Sequence, residues 1–433
     1  MSATARKSKQ TPAGSTEAEV PTQQLIERAV ALRPKLIEAQ AEAEARTYYS
    51  EEMHQEFQNA GFYRMFMPRR YGGLEVDVPT FMRVVVELAR GCPGTAWCLA
   101  LASNHALMVG SWFPRETQDE VFDGGKFICA SVAAPLEGLA TPVDGGWELN
   151  GKVSYCSGIP YSSYFLGQAL TPGEEPGVPG PMLLYVAPRG AWRMLDDWGE
   201  LLGLKASGSQ SIVFEHGWIP AHYVVERTAM IDIDPTQTPG YGIHGNPMYA
   251  GRALGIFTMC LAAVLVGAGY NALDEYEVAL NERKTATPPI KPRREDPDFQ
   301  RYYGAAWAKL ATAEAALHDC AEQHMQLCRR QVEEGIPYSF RDDMLLGCIA
   351  REIMIQSWET VQSDLARTIG ASFLRSGERM ERIYRDMSIG NAHRNTSFRD
   401  WAFRELACLH LGVTTPSMLL RNAPSFKSQE PSA

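Results

Sequence analysis

Apolar residues recur at helical spacing through the first quarter of the chain, from Gln23 to about Gly125. Within this stretch Ser50 stands directly before Glu51 and Glu52, as a residue that caps a helix N-terminus would. Residues 95–112 carry no charge, so we expect the helix there to be buried on most sides. The first part of the chain is therefore predicted to be all helical.

At about Lys126 the pattern changes, because β-branched and aromatic residues begin to alternate with polar ones between Gly and Pro punctuation. The dipeptide Asn150-Gly151 supplies the two positive-φ positions of a tight turn, so a hairpin is predicted between 147–149 and 152–155. We expect the other strands of this part at 127–132, 163–169, 182–187 and 211–218.

Helical periodicity returns after Pro247, and long helices with short connections predict an antiparallel bundle. The expected helices are 249–284, 299–334, 342–374, 379–390 and 397–411. The chain is thus predicted to be a mostly helical α+β protein. Its expected parts are a disordered tail at 1–21, an N-terminal helical domain at 22–125, a central β domain at 126–240, a C-terminal helical bundle at 241–415 and a second tail at 416–433.

One segment, 253–273, is uncharged and long enough to span a bilayer. It is rich in Ala and Gly, has no aromatic belt and runs directly into Asp274, Glu275 and Glu277. We therefore expect it to be a buried helix at the centre of a bundle, and no membrane partner is predicted.

Composition excludes several classes of function. With 41 basic and 51 acidic residues among 433, the net charge is -10, and the scattered Lys and Arg residues make nucleic acid a poor partner. The nine cysteines form no CxxC pair and the N-terminus has no apolar stretch, which indicates a reducing cytoplasm rather than secretion. His216 and His222 lack further ligands at zinc spacing, so no metal is expected. The sequence also lacks a dinucleotide-binding GxGxxG after a strand and a P-loop.

Four segments carry a resemblance to a known family: YGG at 71–73, DGGWELNGK at 144–152, LGLKASGSQSIVFEHGWIP at 202–220 and RIYRDMSIG at 382–390. In this order and at these separations they resemble landmarks of the acyl-CoA dehydrogenase fold, over residues 22 to 412. The resemblance implies an N-terminal α domain, a central β-barrel or sandwich domain and a C-terminal four-helix bundle. It also implies assembly into a homotetramer or dimer.

Members of this fold family with different functions differ in sequence near the pair that corresponds to Arg385-Asp386. Many dehydrogenases of the family carry a catalytic glutamate shortly after that pair. Here no carboxylate follows until Asp400, and His393 stands in the neighbourhood instead. The pattern RD-x-x-x-G-x-x-H is similar to that of two-component flavin monooxygenases, such as the hydroxylases of p-hydroxyphenylacetate and 3-hydroxy-seco-steroids.

That similarity implies an oxygenase component that receives reduced flavin, FMNH2 or FADH2, from a separate NAD(P)H:flavin reductase. Molecular oxygen would form a flavin C4a-hydroperoxide, which hydroxylates an aromatic or otherwise electron-rich small molecule. One alternative is an acyl-CoA dehydrogenase with FAD and a catalytic base on another helix. A second alternative is a flavin-free binding protein on the same fold.

The similarity also implies which residues contact the cofactor. Ser157 would hydrogen-bond flavin N5 or the peroxide, and Gly158 would let the flavin ring approach the backbone. His105, Trp97 and Ser131 match positions near the flavin or the substrate. Locally, Ser157-Gly158 also fits a plain turn, and a histidine on an apolar helix also fits a core residue.

Two further residues have open roles. His393 is expected to accept a proton or to donate a hydrogen bond, or else to cap a helix beginning near Asn395. Arg252 is expected to bind the flavin phosphate or ribityl chain, or to anchor the surface. The residues 159–161 depart from steroid-phenol hydroxylases, which counts against a phenol substrate and leaves polyketide, indole, sulfur and amine oxidation open. Trp97, Phe257 and Met259 are expected to line an apolar pocket.

Overall fold

A computed structural model describes residues 21–175 and 178–414, and the predicted tails fall almost entirely outside these ranges. Within these ranges, six α-helices precede the sheet. They are α1 (Thr22–Arg46), α2 (Glu51–Ala60), α3 (Val78–Ala89), α4 (Pro93–Ser103), α5 (His105–Trp112) and α6 (Arg115–Val121). The side chain of Ser50 caps α2 as predicted, since it accepts a hydrogen bond from the backbone N–H of Met53.

The central part forms one sheet of eight strands with spatial order β6-β7-β3-β2-β4-β5-β8, and β1 pairs in parallel with β4. The strands are β1 (Cys129–Ser131), β2 (Glu137–Val143), β3 (Gly146–Val153), β4 (Tyr164–Pro172), β5 (Pro179–Pro188), β6 (Arg193–Met194), β7 (Ile212–Pro220) and β8 (Val224–Val225). The other pairings are antiparallel, apart from a parallel contact between β2 and β4.

The predicted turn at Asn150-Gly151 is wrong, because β3 runs straight through both residues. The hairpin turn is Asp144-Gly145 instead, and it joins β2 to β3 with Val143 paired to Gly146. At Asn150-Gly151 the register against β7 shifts, and a Cβ on Gly151 would lie 2.3 Å from a backbone oxygen of β2. The Asn-Gly signal therefore marks a bulge where two backbones approach closely.

Helices build the rest of the chain. They are α7 (Gly240–His244), α8 (Leu254–Glu282), α9 (Pro297–Glu333), α10 (Phe340–Glu359), α11 (Arg367–Ile369), α12 (Arg379–Ala392), α13 (Arg394–Ser397) and α14 (Arg399–Leu411). A π-helical turn at Thr360–Ala366 separates α10 from α11, so the single long helix predicted there is interrupted.

Helix α8 is the central element of this bundle and packs against α3, α9, α10 and α12. It contains the uncharged segment at 253–273, and 89% of its most apolar window is buried inside the protein. The expectation of a buried core helix is therefore met. One continuous hydrophobic core joins the N-terminal helices, the sheet and α8, and all nine cysteines are free, eight of them buried.

Candidate active site

Three predicted site residues from distant parts of the sequence meet at one place. The indole Nε1–H of Trp97, on α4, donates to Ser157 Oγ at 3.1 Å. The ring of His393, at the junction of α12 and α13, meets the Trp97 ring edge to face with centroids 5.3 Å apart. Trp97 and Ser157 are both buried, so this contact lies inside the protein. Because an indole has a single N–H and this one binds Ser157, Trp97 fixes the position of Ser157 and has no further donor for a ligand.

Ser157 continues into a chain of buried hydroxyls that the sequence did not reveal. Ser157 Oγ lies 2.7 Å from Ser209 Oγ, which in turn lies 2.6 Å from Ser207 Oγ. Ser207 is fully buried and Ser209 is 4% exposed. The two serines flank Gly208, whose φ of +57° makes the turn that brings their hydroxyls together, and the sequence Ser-Gly-Ser alone does not reveal this contact.

His393 caps α13, because its Nδ1 accepts a hydrogen bond from the backbone N–H of Asn395 at 3.1 Å. The capping role left open by the sequence is therefore present. Burial, and then the nearby charge of Arg394, lower the pKa of His393 to about 4. The ring is neutral at pH 7, and since Nδ1 is an acceptor, its hydrogen resides on Nε2. His393 thus offers a donor at its remaining nitrogen.

His105 has the opposite hydrogen-bonding sense. It begins α5, and its Nδ1 lies 2.7 Å from the carbonyl oxygen of Cys129 on β1. A carbonyl only accepts, so Nδ1 carries the hydrogen and Nε2 keeps a lone pair in the neutral ring. Burial lowers the pKa of His105 to about 4, although hydrogen bonding to the backbone carbonyls of Cys129 and Leu101 acts to raise it. Its ring also faces Phe257 of α8, with centroids 5.6 Å apart.

Helix α8 and the α12–α13 junction are joined by a direct bond from Asn395 Nδ2 to Thr258 Oγ1 at 3.2 Å. Thr258 follows Phe257, which contacts His105. The two histidine positions are therefore connected through neighbouring residues of one helix. The first turns of α8 therefore contact both α5, through His105, and the α12–α13 junction, through Asn395.

Several buried polar atoms around these contacts have no hydrogen-bond partner within the described residues. They are Ser131 Oγ at the end of β1, Asn104 Oδ1 at the break between α4 and α5, Asn395 Oδ1 and Thr396 Oγ1. An orphaned buried polar group costs stability unless a ligand or a water satisfies it. The set therefore fits a bound molecule with several uncharged polar atoms, as a flavin ring or a small aromatic substrate has.

Gly158 packs closely against helix α4, and its contact with the flavin ring stays a prediction. Its φ is +85°, and a Cβ there would lie 2.7 Å from the backbone oxygen of Cys98 and 2.9 Å from the backbone nitrogen of Ala102. The close approach that the glycine permits is thus to helix α4. This packing is what brings Ser157 against Trp97.

Arg252 is held by the backbone. Its Nε donates to the carbonyl of Tyr338 at 2.8 Å and one terminal nitrogen donates to the carbonyl of Ile233 at 3.0 Å. This is the anchoring role that the sequence left open, and the contacts join α8 to the segments before α7 and α10. A cofactor role for Arg252 stays a prediction.

Tyr161 is the last of the residues 159–161 that counted against a phenol substrate, and its side chain contacts α2. Tyr161 stacks on His54 of α2 with ring centroids 4.0 Å apart, and its hydroxyl donates to the carbonyl of Tyr49 at 3.2 Å. Ile159 is fully buried. The side chain of Tyr161 therefore packs against the α2 region and not against His393 or His105.

Within residues 21–175 and 178–414, the contacts that join Trp97, Ser157 and His393 include no carboxylate. Of the buried acids nearby in sequence or in space, Asp386 accepts from the backbone N–H of Leu204 at 2.6 Å. Asp343 accepts from the backbone N–H of Gly255 at 2.7 Å. Burial raises the pKa of Asp386 to about 7 and that of Asp343 to about 6, and each carboxyl is committed to a backbone donor.

Comparison with known proteins adds to this geometry. Residues 21–120 match the family model "Acyl-CoA dehydrogenase, N-terminal domain", and residues 259–398 match "Acyl-CoA dehydrogenase, C-terminal domain". The oxygenase subunit HsaA of a flavin-dependent monooxygenase from Rhodococcus jostii is 25% identical over 379 residues, which cover 85% of this chain and 93% of that one. The oxygenase component of an FADH2-dependent resorcinol hydroxylase from a Rhizobium species is 27% identical, over 77% of this chain and 81% of its own.

Among solved structures, that of XiaF from a Streptomyces species in complex with FADH2 and glycerol superimposes with a TM-score of 0.81. It is 21% identical and covers 94% of this chain and 98% of its own, which is a likeness of fold. The two family models together match more than half of the sequence and flank the sheet, as the fold requires. The chain therefore belongs to the acyl-CoA dehydrogenase family, and the curated relatives that match most of its length are flavin-dependent monooxygenases.

Proposed function

We propose that this protein is the oxygenase component of a two-component flavin-dependent monooxygenase. It takes reduced FMN or FAD from a separate NAD(P)H:flavin reductase and uses molecular oxygen to hydroxylate an uncharged, electron-rich small molecule. The observation that carries the proposal is the meeting of Trp97, Ser157 and His393 in a set of contacts without a carboxylate. The named activities of the relatives support the same reaction.

The residues that would hold the flavin are Ser157, Trp97 and Ser131, with Gly158 setting the position of Ser157. Bound reduced flavin would supply the two electrons of the reaction, so that one atom of dioxygen enters the substrate and the other leaves as water. The unpartnered hydroxyl of Ser131 gives the site a free polar contact for the flavin or the substrate. Trp97 and Ser157 are buried, which favours the exclusion of water from the site. Access of water would favour loss of the activated oxygen as hydrogen peroxide.

The two histidines divide the hydrogen-bonding work. Both are neutral at pH 7, because burial brings their pKa values to about 4. His105 Nε2 has a lone pair and can accept a hydrogen bond from a substrate O–H or N–H. His393 Nε2–H is a donor and suits an oxygen atom that gains negative charge. The two rings would thus supply one acceptor and one donor to a bound substrate and to the transferred oxygen.

The uncharged character of the site favours an uncharged aromatic substrate. A buried carboxylate or ammonium on the substrate would need an opposite charge, and the contacts that join His105, Phe257, Thr258 and Asn395 provide none. Because Tyr161 packs on His54, its side chain does not by itself exclude a phenol from the site. We therefore place neutral phenols and indoles first among substrates.

Acyl-CoA dehydrogenase chemistry is the alternative, and it needs a carboxylate base beside the substrate. The buried acids Asp386 and Asp343 both bind backbone N–H groups, and the buried Glu405 lies on α14, outside the contacts that join Trp97, Ser157 and His393. This arrangement favours the monooxygenase over the dehydrogenase.

The cellular setting belongs to the proposal as well. Nine free cysteines support a cytoplasmic enzyme, because thiols persist in a reducing compartment. Exposed apolar side chains on the bundle helices, including Trp307, Leu345 and Phe398, support assembly into a homotetramer or dimer. Light scattering of the purified protein on a sizing column tests the assembly.

A diffusion experiment tests the function. The protein and a flavin reductase are placed on opposite sides of a dialysis membrane with NADH, FMN or FAD, and ¹⁸O₂, and neutral phenols and indoles are supplied in turn. We expect a product with one ¹⁸O atom, formed only when both proteins are present. Bleaching of a tightly bound yellow flavin by acyl-CoA, without ¹⁸O incorporation, would favour the dehydrogenase instead.

A further inference from the structure

The three hydroxyls behind Trp97 form an uninterrupted chain. Ser157 Oγ lies 2.7 Å from Ser209 Oγ, and Ser209 Oγ lies 2.6 Å from Ser207 Oγ. All three residues are buried, with exposures of 8%, 4% and 0%. Both distances fit O–H···O hydrogen bonds, and either oxygen of each pair can be the donor.

The backbone holds these serines in a fixed relation. The N–H of Cys156 donates to the carbonyl of Gln210 at 3.1 Å, and the N–H of Gly158 donates to the carbonyl of Ser207 at 3.3 Å. The segments on either side of the chain of hydroxyls are thereby paired, so that a change in hydrogen bonding needs only rotation of hydroxyl groups.

The hydrogen bond from Trp97 limits how Ser157 can bond to its other neighbours. An indole N–H can only donate, so one lone pair of Ser157 Oγ is always occupied. The hydroxyl then has one hydrogen and one lone pair left for two neighbours, Ser209 and whatever molecule lies in the site. If Ser157 donates to Ser209, it presents an acceptor to the site. If Ser209 donates to Ser157, the hydroxyl hydrogen of Ser157 is free to donate to a molecule in the site.

We propose that Ser209 and Ser207 are positioning residues that let Ser157 match the redox state of the bound flavin. This inference rests on the proposed function. Reduction adds a hydrogen to flavin N5 and so converts that atom from a hydrogen-bond acceptor into a donor. Ser157 can accept from the reduced ring only while its own hydrogen has somewhere else to go, and Ser209 Oγ is that place.

Replacement of Ser209 by alanine breaks the chain at its middle. The hydrogen of Ser157 then has no partner on that side, so the hydroxyl keeps it directed toward the site. The N5 atom of oxidised flavin can still accept that hydrogen. The N5–H of reduced flavin instead meets the O–H of Ser157, so that two donors face each other. The variant should therefore weaken binding of reduced flavin while it leaves binding of oxidised flavin nearly unchanged.

The test is a pair of anaerobic titrations of the whole protein with FMN and FAD, oxidised and reduced, for wild type and Ser209→Ala. We expect the ratio of reduced to oxidised affinity to fall about tenfold, which equals about 1.4 kcal/mol. The midpoint potential of the bound flavin should fall by about 30 mV, the shift that a tenfold change gives in a two-electron couple. A residue that merely supported the fold would move both affinities together.

Three controls complete the design. Ser357→Ala removes another fully buried serine, whose hydroxyl donates to the Ile353 carbonyl within α10, and should leave the ratio unchanged. Ser207→Ala shortens the chain by one member and should shift the potential in the same direction by less. It also tests the relay if Ser209→Ala does not fold. Ser209→Thr keeps the hydroxyl and should restore the wild-type ratio.

An unchanged ratio in a folded Ser209→Ala protein, or equal loss of both affinities, would overturn the relay and leave the monooxygenase proposal standing. Failure of the wild type to bind flavin in either state would overturn the proposed function and the relay with it.

Discussion

The indole of Trp97 donates to the hydroxyl of Ser157 over 3.1 Å, and this bond ties helix α4 to the loop after β3. The same indole meets the ring of His393 edge to face. Trp97 therefore couples the N-terminal helices, the sheet and the C-terminal bundle at one point. Its replacement should affect the chemistry of the site more than the fold.

Trp97→Phe keeps an aromatic ring but removes the donor to Ser157. We expect the free energy of unfolding to fall by about 1–3 kcal/mol, from the lost hydrogen bond and the smaller ring. More of the oxygen consumed should appear as hydrogen peroxide and less as hydroxylated product, because Ser157 is no longer held. The two products are measured together with an oxygen electrode and chromatography. Trp307→Phe, at an exposed position of α9, should leave their ratio unchanged, and equal effects of both variants would contradict the role of Trp97.

The helix-capping role of His393 can be separated from its role in the site. Asparagine also caps helices well, so His393→Asn should keep the stability within about 0.5 kcal/mol, whereas His393→Ala should lose about 1 kcal/mol. Both variants lack the imidazole N–H and should hydroxylate more slowly. Urea unfolding and product formation give the two readings. Full activity in His393→Asn would show that the ring serves α13 alone.

The low pKa values of the two imidazoles predict how the protein responds to acid. The folded-state pKa values of His105 and His393 lie near 4, below the ~6.5 of an unfolded chain. Between these values the unfolded chain binds protons that the folded protein does not. Each histidine therefore contributes stability above about pH 6.5 that is lost as the pH falls toward 4.

Histidine NMR resonances, assigned with His105→Asn and His393→Asn, measure these pKa values directly. Both rings should stay neutral from pH 8 to pH 5. A ring that titrates between pH 6 and 7 would be accessible to water and would not have the fixed tautomer described here.

Gly158 should tolerate no side chain. Gly158→Ala combines a positive φ with a Cβ that would lie 2.7 Å from the Cys98 carbonyl, so we expect a loss of more than about 2 kcal/mol. Gly145→Ala is the matched control, because φ is +72° there and nothing lies within 4 Å of the added Cβ. It should lose only about 1 kcal/mol, the cost of the backbone conformation. Equal losses on thermal unfolding would mean that packing against α4 is loose.

The order of helices, strands and helices could be predicted from the sequence, because burial imposes periods of 3.6 and 2 on the pattern of apolar residues. The hairpin was misplaced because Asn-Gly suits both a turn and a bulge, and only the pairing of β2 with β3 distinguishes them. The π-helical turn after α10 has no pattern that a short window can detect.

For the site, the sequence proposed Trp97, Ser157 and His393, and the structure brings these three together. It could not supply the hydroxyl chain through Ser209, because the bond joins residues 52 positions apart. The tautomers of the histidines could not be predicted from the sequence either. They depend on the backbone N–H of Asn395 for His393 and on the carbonyl of Cys129 for His105.

The central claim is that this protein holds reduced flavin and controls its reaction with oxygen. Rapid mixing of the anaerobic complex of protein and FMNH2 or FADH2 with oxygenated buffer tests it most directly, with absorbance spectra recorded over time. We predict a spectrum that differs from both reduced and oxidised flavin and that persists longer than any species seen with free flavin. Direct conversion to oxidised flavin at the rate of free flavin, with no distinct spectrum between, would contradict the claim.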